Sequence, residues 1–591
     1  MRLAPIVAAV LLAAGARAQT AGGISGVVVD EDGAPVARAV LIVSGPPLQG
    51  ERTASTDPSG VFDLPQLPPG AYSIDVHCFG YASFTQEGVA VHLASTTQVT
   101  LRILHEAGAA AGRRPQPSAI SMPVVTAAQM ELIPYGREVR SFEQAALAAP
   151  GLTRLPPGIH GPGTLADETR FVVDGIDVTD PDRRVLATRL LQNFVEEVAV
   201  RTIPLAAEYG CTSGALISAV TRSGGNEFHG SVFAGAIGDP RAIEGGFDLG
   251  GPLLRDRLWF YGGFAPEFVD GRGTDFQYAG KLSWRFADDH SLALSAFGDP
   301  GSNRSGASDF SLRYLGDAGG LRLEGFGGFH HSRSGADRLE AGGSGGAFLA
   351  LAGHHRFKAG VEADEVLGAA FAQDSWAVLD LFTVDAGVRY ERQRGFDLIM
   401  PRLGLSWDFA GGGRSRAYAA YGRFGLPVPA LATENAYDDV FSGGAQVQVY
   451  RDLVAGLDYT HRQLTPLQRL YDGVCASLSK PLSDNYVLQL SYTRSWWRGE
   501  TPLVAEPDVI KLDAGYAYEW TARTTLSFGA AFRAIRSSGW ETDLDLRGAF
   551  VYQLSSTYRL SVNLDLINAL DRTVALIEPP ITARLGGSLS F

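Results

Sequence analysis

The chain has 591 residues, with 50 Lys and Arg against 64 Asp and Glu and a formal net charge of −14. That balance argues against a nucleic-acid partner, because a phosphate backbone is held by excess cation, and the length exceeds one ordinary domain. Gly, at 71 residues, suits strands, tight turns and closely packed backbone, and no run past the N-terminus has the length of an apolar membrane helix.

In chain order, residues 1–18 read as a signal peptide. Arg2 gives the positive start, residues 5–14 the apolar core, and Ala16-Arg17-Ala18 the small-x-small pattern, with cleavage expected before Gln19. Residues 21–104 hold short apolar strands at regular spacing, divided by Gly and Pro turns, the pattern of a compact β-sandwich. Residues 105–118, rich in Ala, Gly, Arg and Pro without apolar periodicity, form a linker. Residues 119–226 read as a mixed α+β domain, about the size that fits inside a large barrel. Helices are expected over 140–149 and 187–195. Strands are expected at Phe171-Val172-Val173, ending in the turn Asp174-Gly175, at Val198-Ala199-Val200 and over 215–221.

Residues 227–591 carry the dominant pattern. Phe382, Val384, Ala386, Val388 and Tyr390 alternate with Thr383, Asp385, Gly387 and Arg389, and Leu560, Val562, Leu564 and Leu566 alternate with Ser561, Asn563 and Asp565. Period two means a strand with two different environments. About 22 such segments of roughly ten residues match tilted membrane-spanning strands. Short turns at 287–290, 354–356, 451–452 and 555–557 alternate with longer connections at 298–307, 425–443 and 498–507. The expected fold is therefore mainly β: a transmembrane antiparallel β-barrel of about 22 strands with an internal α+β plug and an N-terminal β-sandwich domain. Apolar side chains would face the lipid of the outer membrane and polar ones the lumen, and closure removes the sheet edges that hydrocarbon cannot tolerate.

Two resemblances follow from the residues. Gly26-x-Val28-x-Asp30, Gly33-x-Pro35, Thr56-Asp57, Gly60-x-Phe62, Leu67-Pro68-Pro69-Gly70-x-Tyr72 and Gly80-Tyr81 resemble the carboxypeptidase regulatory-like domain, an accessory fold without a catalytic site. Ile133-Pro134-Tyr135-Gly136-Arg137, Pro150-Gly151-Leu152 and the run from Phe171 to Pro181, with Asp174, Gly175 and Asp177 as the plug motif, resemble the plug of TonB-dependent receptors. Glu208, Tyr209 and Gly210, then Thr221, Gly224, Asn226, Phe228 and Gly230, resemble that family's plug-to-barrel junction, closest to its Oar-like branch. Phe371-Ala372-Gln373-Asp374-Ser375-Trp376 and the stretch from Leu564 to Asp571 are similar to its barrel strands, and Phe591 to its terminal signal for the barrel-assembly machinery. The family usually carries a short TonB box before the plug, which lends an edge strand to the energy-transducing TonB partner. Met122-Pro123-Val124-Val125-Thr126 is the candidate, with the first plug strand as its competing assignment.

Signals for chemistry are weak. No H-E-x-x-H, G-x-S-x-G or P-loop spacing occurs, so no enzyme, metal site or cofactor is expected. The pairs His330-His331 and His354-His355 splay to opposite faces of a strand or sit at a turn. Asp177, Asp180 and Asp182 lack EF-hand spacing and read as a turn that caps backbone N–H groups. Cys78, Cys211 and Cys475 are far apart, outside any metal spacing, with one disulfide allowed and buried or lumenal thiols favoured. Lumenal charges such as Arg389, Arg533, Arg559, Asp545 and Arg547 are expected to bond to the plug and to one another. The resemblance implies an outer-membrane receptor that imports an unidentified substrate using TonB, with its N-terminal domain in the periplasm. The alternative is a non-transporting outer-membrane protein for adhesion or for assisting protein export.

Overall fold

The computed structural model describes residues 22–103, 124–570 and 582–591, less 46–51, 135–139, 301–305, 427–435, 500–507 and several short turns. The expected signal peptide and linker lie outside the described residues, as do Cys211 and part of the TonB-box candidate.

Seven strands form the N-terminal sandwich: β1 (Gly22–Val29), β2 (Val40–Ser44), β3 (Arg52–Ser55), β4 (Val61–Leu67), β5 (Gly70–His77), β6 (Phe84–Val91) and β7 (Thr96–Arg102). They make two sheets, ordered β4-β1-β7 and β3-β2-β5-β6. Alternate apolar residues of both sheets, among them Ile24, Leu41, Phe62, Ile74 and Leu101, close one core. The Thr-Asp-x-x-Gly motif makes a turn: Asp57 Oδ1 accepts from the N–H groups of Ser59 and Val61, at 2.8 and 2.9 Å.

The plug begins with β8 (Val124–Thr126) and α1 (Ala127–Leu132). Thr126 caps that helix in a reciprocal box with Gln129. Then come α2 (Phe142–Ala146), β9 (Thr153–Leu155), β10 (Gly158–His160), β11 (Arg170–Val173), β12 (Ile176–Asp177), β13 (Val195–Arg201) and β14 (Leu216–Thr221). Its main sheet runs β12-β11-β14-β13-β8, so Val124–Thr126 is an edge strand of the plug, antiparallel to β13. The helix expected over 187–195 is absent; a single 3-10 turn spans Gln192–Phe194. The chain ahead of it instead bonds outward, with Ala187 N–H on the Val178 carbonyl, Phe142 N–H on that of Leu190 and Gln192 N–H on that of Arg140. Tertiary hydrogen bonds replaced helical ones, which local propensity does not register.

Twenty-two strands, β15 (His229–Ile237) through β36 (Thr582–Ser590), form one closed antiparallel barrel. β36 pairs back onto β15, from Ser231 with Ser590 to Ile237 with Arg584. The alternation seen in the sequence sorts by face. Val388, Tyr390, Val562 and Leu564 are exposed on the outside, whereas Arg389 and Asp565 are fully buried in the lumen. The turn expected at 354–356 lies earlier, around Ala352 and Gly353, which both take positive φ, and residues 354–356 already belong to β23 (His354–Ala363). The connection expected over 425–443 is shorter, because β28 starts at Tyr437. Every connection of eight residues or more lies on one rim, and the other carries the short turns and connections of at most seven residues.

The sandwich sits against the short-turn rim. Asp63 takes Arg322 at 2.5 Å and Arg356 at 3.3 Å, from the starts of two barrel strands. His92 reaches Glu197 of β13 at 3.3 Å.

Candidate functional site

The site is the interface between plug and wall, and it is built of charge where the wall residues point inward. Asp174 occupies a left-handed position, φ 47°, and Gly175 follows at φ 88° in the two-residue turn between β11 and β12. A β-branched residue at either position would be strained, which is why the turn needs Asp-Gly. The turn aims the Asp174 carboxylate at β14. Its oxygens accept from the Thr221 N–H at 3.0 Å and from the Thr221 hydroxyl, and Lys281 of β18 (Gly273–Ala287) reaches it at 3.0 Å. Asp177 pairs with Arg170 at 2.9 Å, and its own N–H donates to Glu340 of the wall at 2.7 Å. The plug motif is thus a set of bonds between strands and from plug to barrel. Asp180 accepts from the N–H groups of Asp182 and Arg183, the turn expected from the sequence.

The junction residues fall into two groups. Glu208, Tyr209 and Gly210 lie on the connection between β13 and β14, against the inner wall. Lys358 holds Glu208 at 2.8 Å, and Gln373 accepts from the Glu208 N–H at 3.1 Å. Arg389 donates to the carbonyls of Ala207 and Glu208. Arg402 donates to those of Ala206 and Tyr209, each at 3.1 Å. A Cβ on Gly210 would fall 2.0 Å from Oε1 of Glu391, so only Gly lets the backbone approach this closely. Thr221, Gly224, Asn226, Phe228 and Gly230 lie elsewhere, where the plug passes into the first barrel strand. Asn226 accepts from the Trp259 indole at 2.8 Å and from the Asp256 N–H at 2.9 Å. Gly224 backs onto the Phe260 carbonyl, and Phe228 is exposed beside the Phe260 ring. Gly230 exchanges two 3.0 Å backbone bonds with Phe591, so the last residue closes the seam at the first strand.

Further wall cations reach plug carbonyls that the sequence does not point to. Arg547 forks onto Asp565 at 2.7 and 2.8 Å and donates to the carbonyls of Met130, Glu131 and Ile133 at the end of α1. Lys511 donates to the carbonyls of Leu147 and Ala149 just past α2, at 2.9 Å each. Arg462 donates to the Ser213 carbonyl at 2.6 Å. A cation at an inward strand position was the available signal, but its plug partner lies hundreds of residues away in sequence. Of the remaining expected lumenal charges, Arg533 pairs with Asp513, Arg559 with Glu131, and Asp545 accepts from the Asn568 N–H.

At the long-loop end, the hairpin of β9 and β10 and the wall border a small pocket of about 40 Å³ that is partly open to solvent. His160, Thr164, Tyr471, Thr493, Ser495 and Trp497 line it. Beside it Arg469 pairs with Glu168 at 2.7 Å. Burial pushes the Glu168 carboxyl above the ordinary carboxylate range, against the pull of Arg469. Hydroxyls, a ring pair and an imidazole thus face this pocket together.

His330 contacts the buried Asp309 at 2.7 Å, while His331 reaches Asp337 at the surface, so that pair splays as expected. Among the described residues no cluster of three His, Cys, Asp or Glu is placed to hold a metal ion. Cys78 and Cys475 are free thiols, one in the sandwich and one on the lumenal wall.

Residues 23–104 match the family model of the carboxypeptidase regulatory-like domain, and residues 219–453 match that of the TonB dependent receptor-like β-barrel. The TonB-dependent transporter Oar of Myxococcus xanthus is 32% identical over 374 residues, covering 50% of this chain and 35% of that protein. The chain thus spans about a third of the length of this curated relative. Among solved structures, the siderophore receptor PirA of Pseudomonas aeruginosa aligns with a TM-score of 0.65 at 16% identity, covering 79% of this chain and 99% of that one. PirA of Acinetobacter baumannii aligns with a TM-score of 0.65 at 14% identity, covering 80% and 98%. At such identities these two likenesses establish the fold.

Proposed function

We propose that this chain, whose barrel is that of the TonB-dependent receptors and whose first domain is carboxypeptidase regulatory-like, imports a substrate across the outer membrane. The observation that carries this reading is a closed barrel whose lumen holds a folded plug fixed by wall cations. A barrel meant only to anchor or adhere needs no such stopper. The barrel is an outer-membrane barrel; the short-turn rim and the sandwich are assigned to the periplasm, and the long-loop rim to the outside. Substrate would enter at the cavity beside His160 and Trp497, and a TonB-type partner would pull on the N-terminal side of the plug.

Asp174, Gly175 and Asp177 are proposed to hold the plug fold, and Glu208, Tyr209 and Gly210 to latch it to the wall. Thr221, Gly224, Asn226, Phe228 and Gly230 would set its junction with the barrel. Phe591 is proposed as the signal read by the barrel-assembly machinery. The substrate class stays open among siderophore, peptide, glycan fragment and protein. The test is growth or uptake in paired strains with and without the TonB partner. Loss of uptake without TonB supports the reading, and unchanged uptake overturns it.

The second reading, a non-transporting protein for adhesion or assisting export, is favoured by one feature. Val124–Thr126, the described part of the TonB-box candidate, is engaged in the plug sheet. It predicts an adhesion or secretion defect in a deletion strain that is independent of TonB.

A further inference from the structure

The sandwich buries part of a face that a two-sheet fold leaves wet. Ser25 of β1 and Asp63 of β4 stand opposite each other, next to the pair Ile24 and Leu64. Ile24 and Leu64 point into the sandwich core, so Ser25 and Asp63 point out of it. Ser25 is nevertheless buried, and the Asp63 side chain is only 6% exposed. The cover is the barrel rim. Arg322 of β21 (Leu321–Ser332) and Arg356 of β23 both reach Asp63, and Arg356 also donates to the Ser25 hydroxyl.

Two residues further along the same two strands, on the same face, stand Glu324 and Lys358. Lys358 bridges Glu324 and Glu208 of the plug, at 3.1 and 2.8 Å. The anchor of the sandwich and a latch of the plug are therefore consecutive steps on one inner wall. A second contact goes to the plug itself. His92, in the turn between β6 and β7, lies 3.3 Å from Glu197 of β13, which is buried. Glu197 is the ladder partner of Thr126 in β8, the edge strand of the plug. The neighbouring Glu196 acts electrostatically on Tyr72 of β5. One small domain thus grips both the rim and the strand that holds β8. Among the described residues no buried apolar cluster joins it to either. Its contacts are charges and hydrogen bonds, which water can replace when they part. Because the sandwich and the plug share one chain, a few such contacts suffice to dock it.

We propose that the sandwich is a releasable clamp on the plug. Docked, it ties β13 to the rim and keeps the plug seated from the short-turn side. Released, it leaves β13 and β8 to yield to a pull. This rests on the transport reading and adds the element that sets how hard that pull must be.

The test is hydrogen exchange in the full chain, held in lipid nanodiscs without substrate or TonB. Asp63→Arg sets three like charges together and should undock the sandwich. Exchange is expected to rise in β4, at the interface, and roughly tenfold in β8 and β13, while β15 keeps the parent rate. Adding Arg322→Asp and Arg356→Asp restores opposite charges and should return β8 and β13 to the parent rate. Faster exchange in β4 with β8 and β13 unchanged would mean that the sandwich docks without clamping. No change anywhere, or a charge-swapped chain that stays fast, would mean that these charges do not hold the dock. Each of these results overturns the proposal. Should the charge reversal prevent folding, Asp63→Asn removes the charge and keeps the shape. It should speed β8 and β13 by a smaller factor, and parent rates there overturn the clamp. The exchange can stay unchanged while TonB-dependent uptake holds, or respond while uptake proves independent of TonB, so the two readings fail separately.

Discussion

The sandwich and the plug are of similar size, yet they are held in opposite ways. The sandwich owns its core: every member, from Ile24 to Ile103, comes from its own residues. It meets the barrel through polar contacts such as Asp63 with Arg322. The plug shares its core, which includes barrel residues Phe233, Tyr261, Phe297 and Ala531 beside Phe142, Phe171 and Phe194. One is a domain docked to a barrel; the other is half of a folding unit whose second half is the wall. Sequence length alone would have ranked them as equals.

This contrast breaks first at Arg547. Its replacement by Ala leaves Asp565, fully buried, with the longer contact to Arg584 among the described residues and frees three plug carbonyls. Removing one partner of a buried pair should cost about 3–5 kcal/mol, read as a lower unfolding temperature of the purified barrel. Arg533→Ala, which removes a longer pair with Asp513, should cost clearly less. Equal effects would show that the plug bonds add nothing.

Next in size is Gly210→Ala. The added methyl meets Glu391 and Arg389, and such overpacking costs roughly 1–3 kcal/mol. It should loosen the plug before the barrel, giving faster hydrogen exchange in β13 and β14 than in β15. Exchange that rises in β15 first would contradict the shared latch.

Asp63→Ala should act through docking. Losing bonds to Arg322 and Arg356 is worth about 1–3 kcal/mol of contact. Exchange should rise in β4 at the interface while the melting of the sandwich itself stays put. The smallest effect is expected on cutting the sandwich free: residues 22–103 alone should unfold cooperatively, close to their behaviour in the full chain. Residues 124–226 alone should lack a cooperative transition. A plug that melts sharply by itself would erase the distinction.

The amino-acid sequence by itself determined the barrel. An inward polar and outward apolar residue alternate at Arg389 and Tyr390 and again at Asp565 and Leu566, and this period of two is a local property that survives any register. It also determined the turn chemistry of Asp57 and of Asp174-Gly175, because those bonds and dihedrals span a few residues. Tertiary structure alone decided the rest. The stretch 187–195 has a helical pattern, but the N–H groups of Ala187 and Gln192 are taken by the carbonyls of Val178 and Arg140, far from helical partners. The motif from Glu208 to Gly230 reads as one junction, yet its two halves grip different parts of the wall. Arg547 meets Met130 across 417 positions of chain. No local pattern encodes which cation will face which carbonyl, since that depends on how a sheet of 22 strands closes and how the plug turns within it.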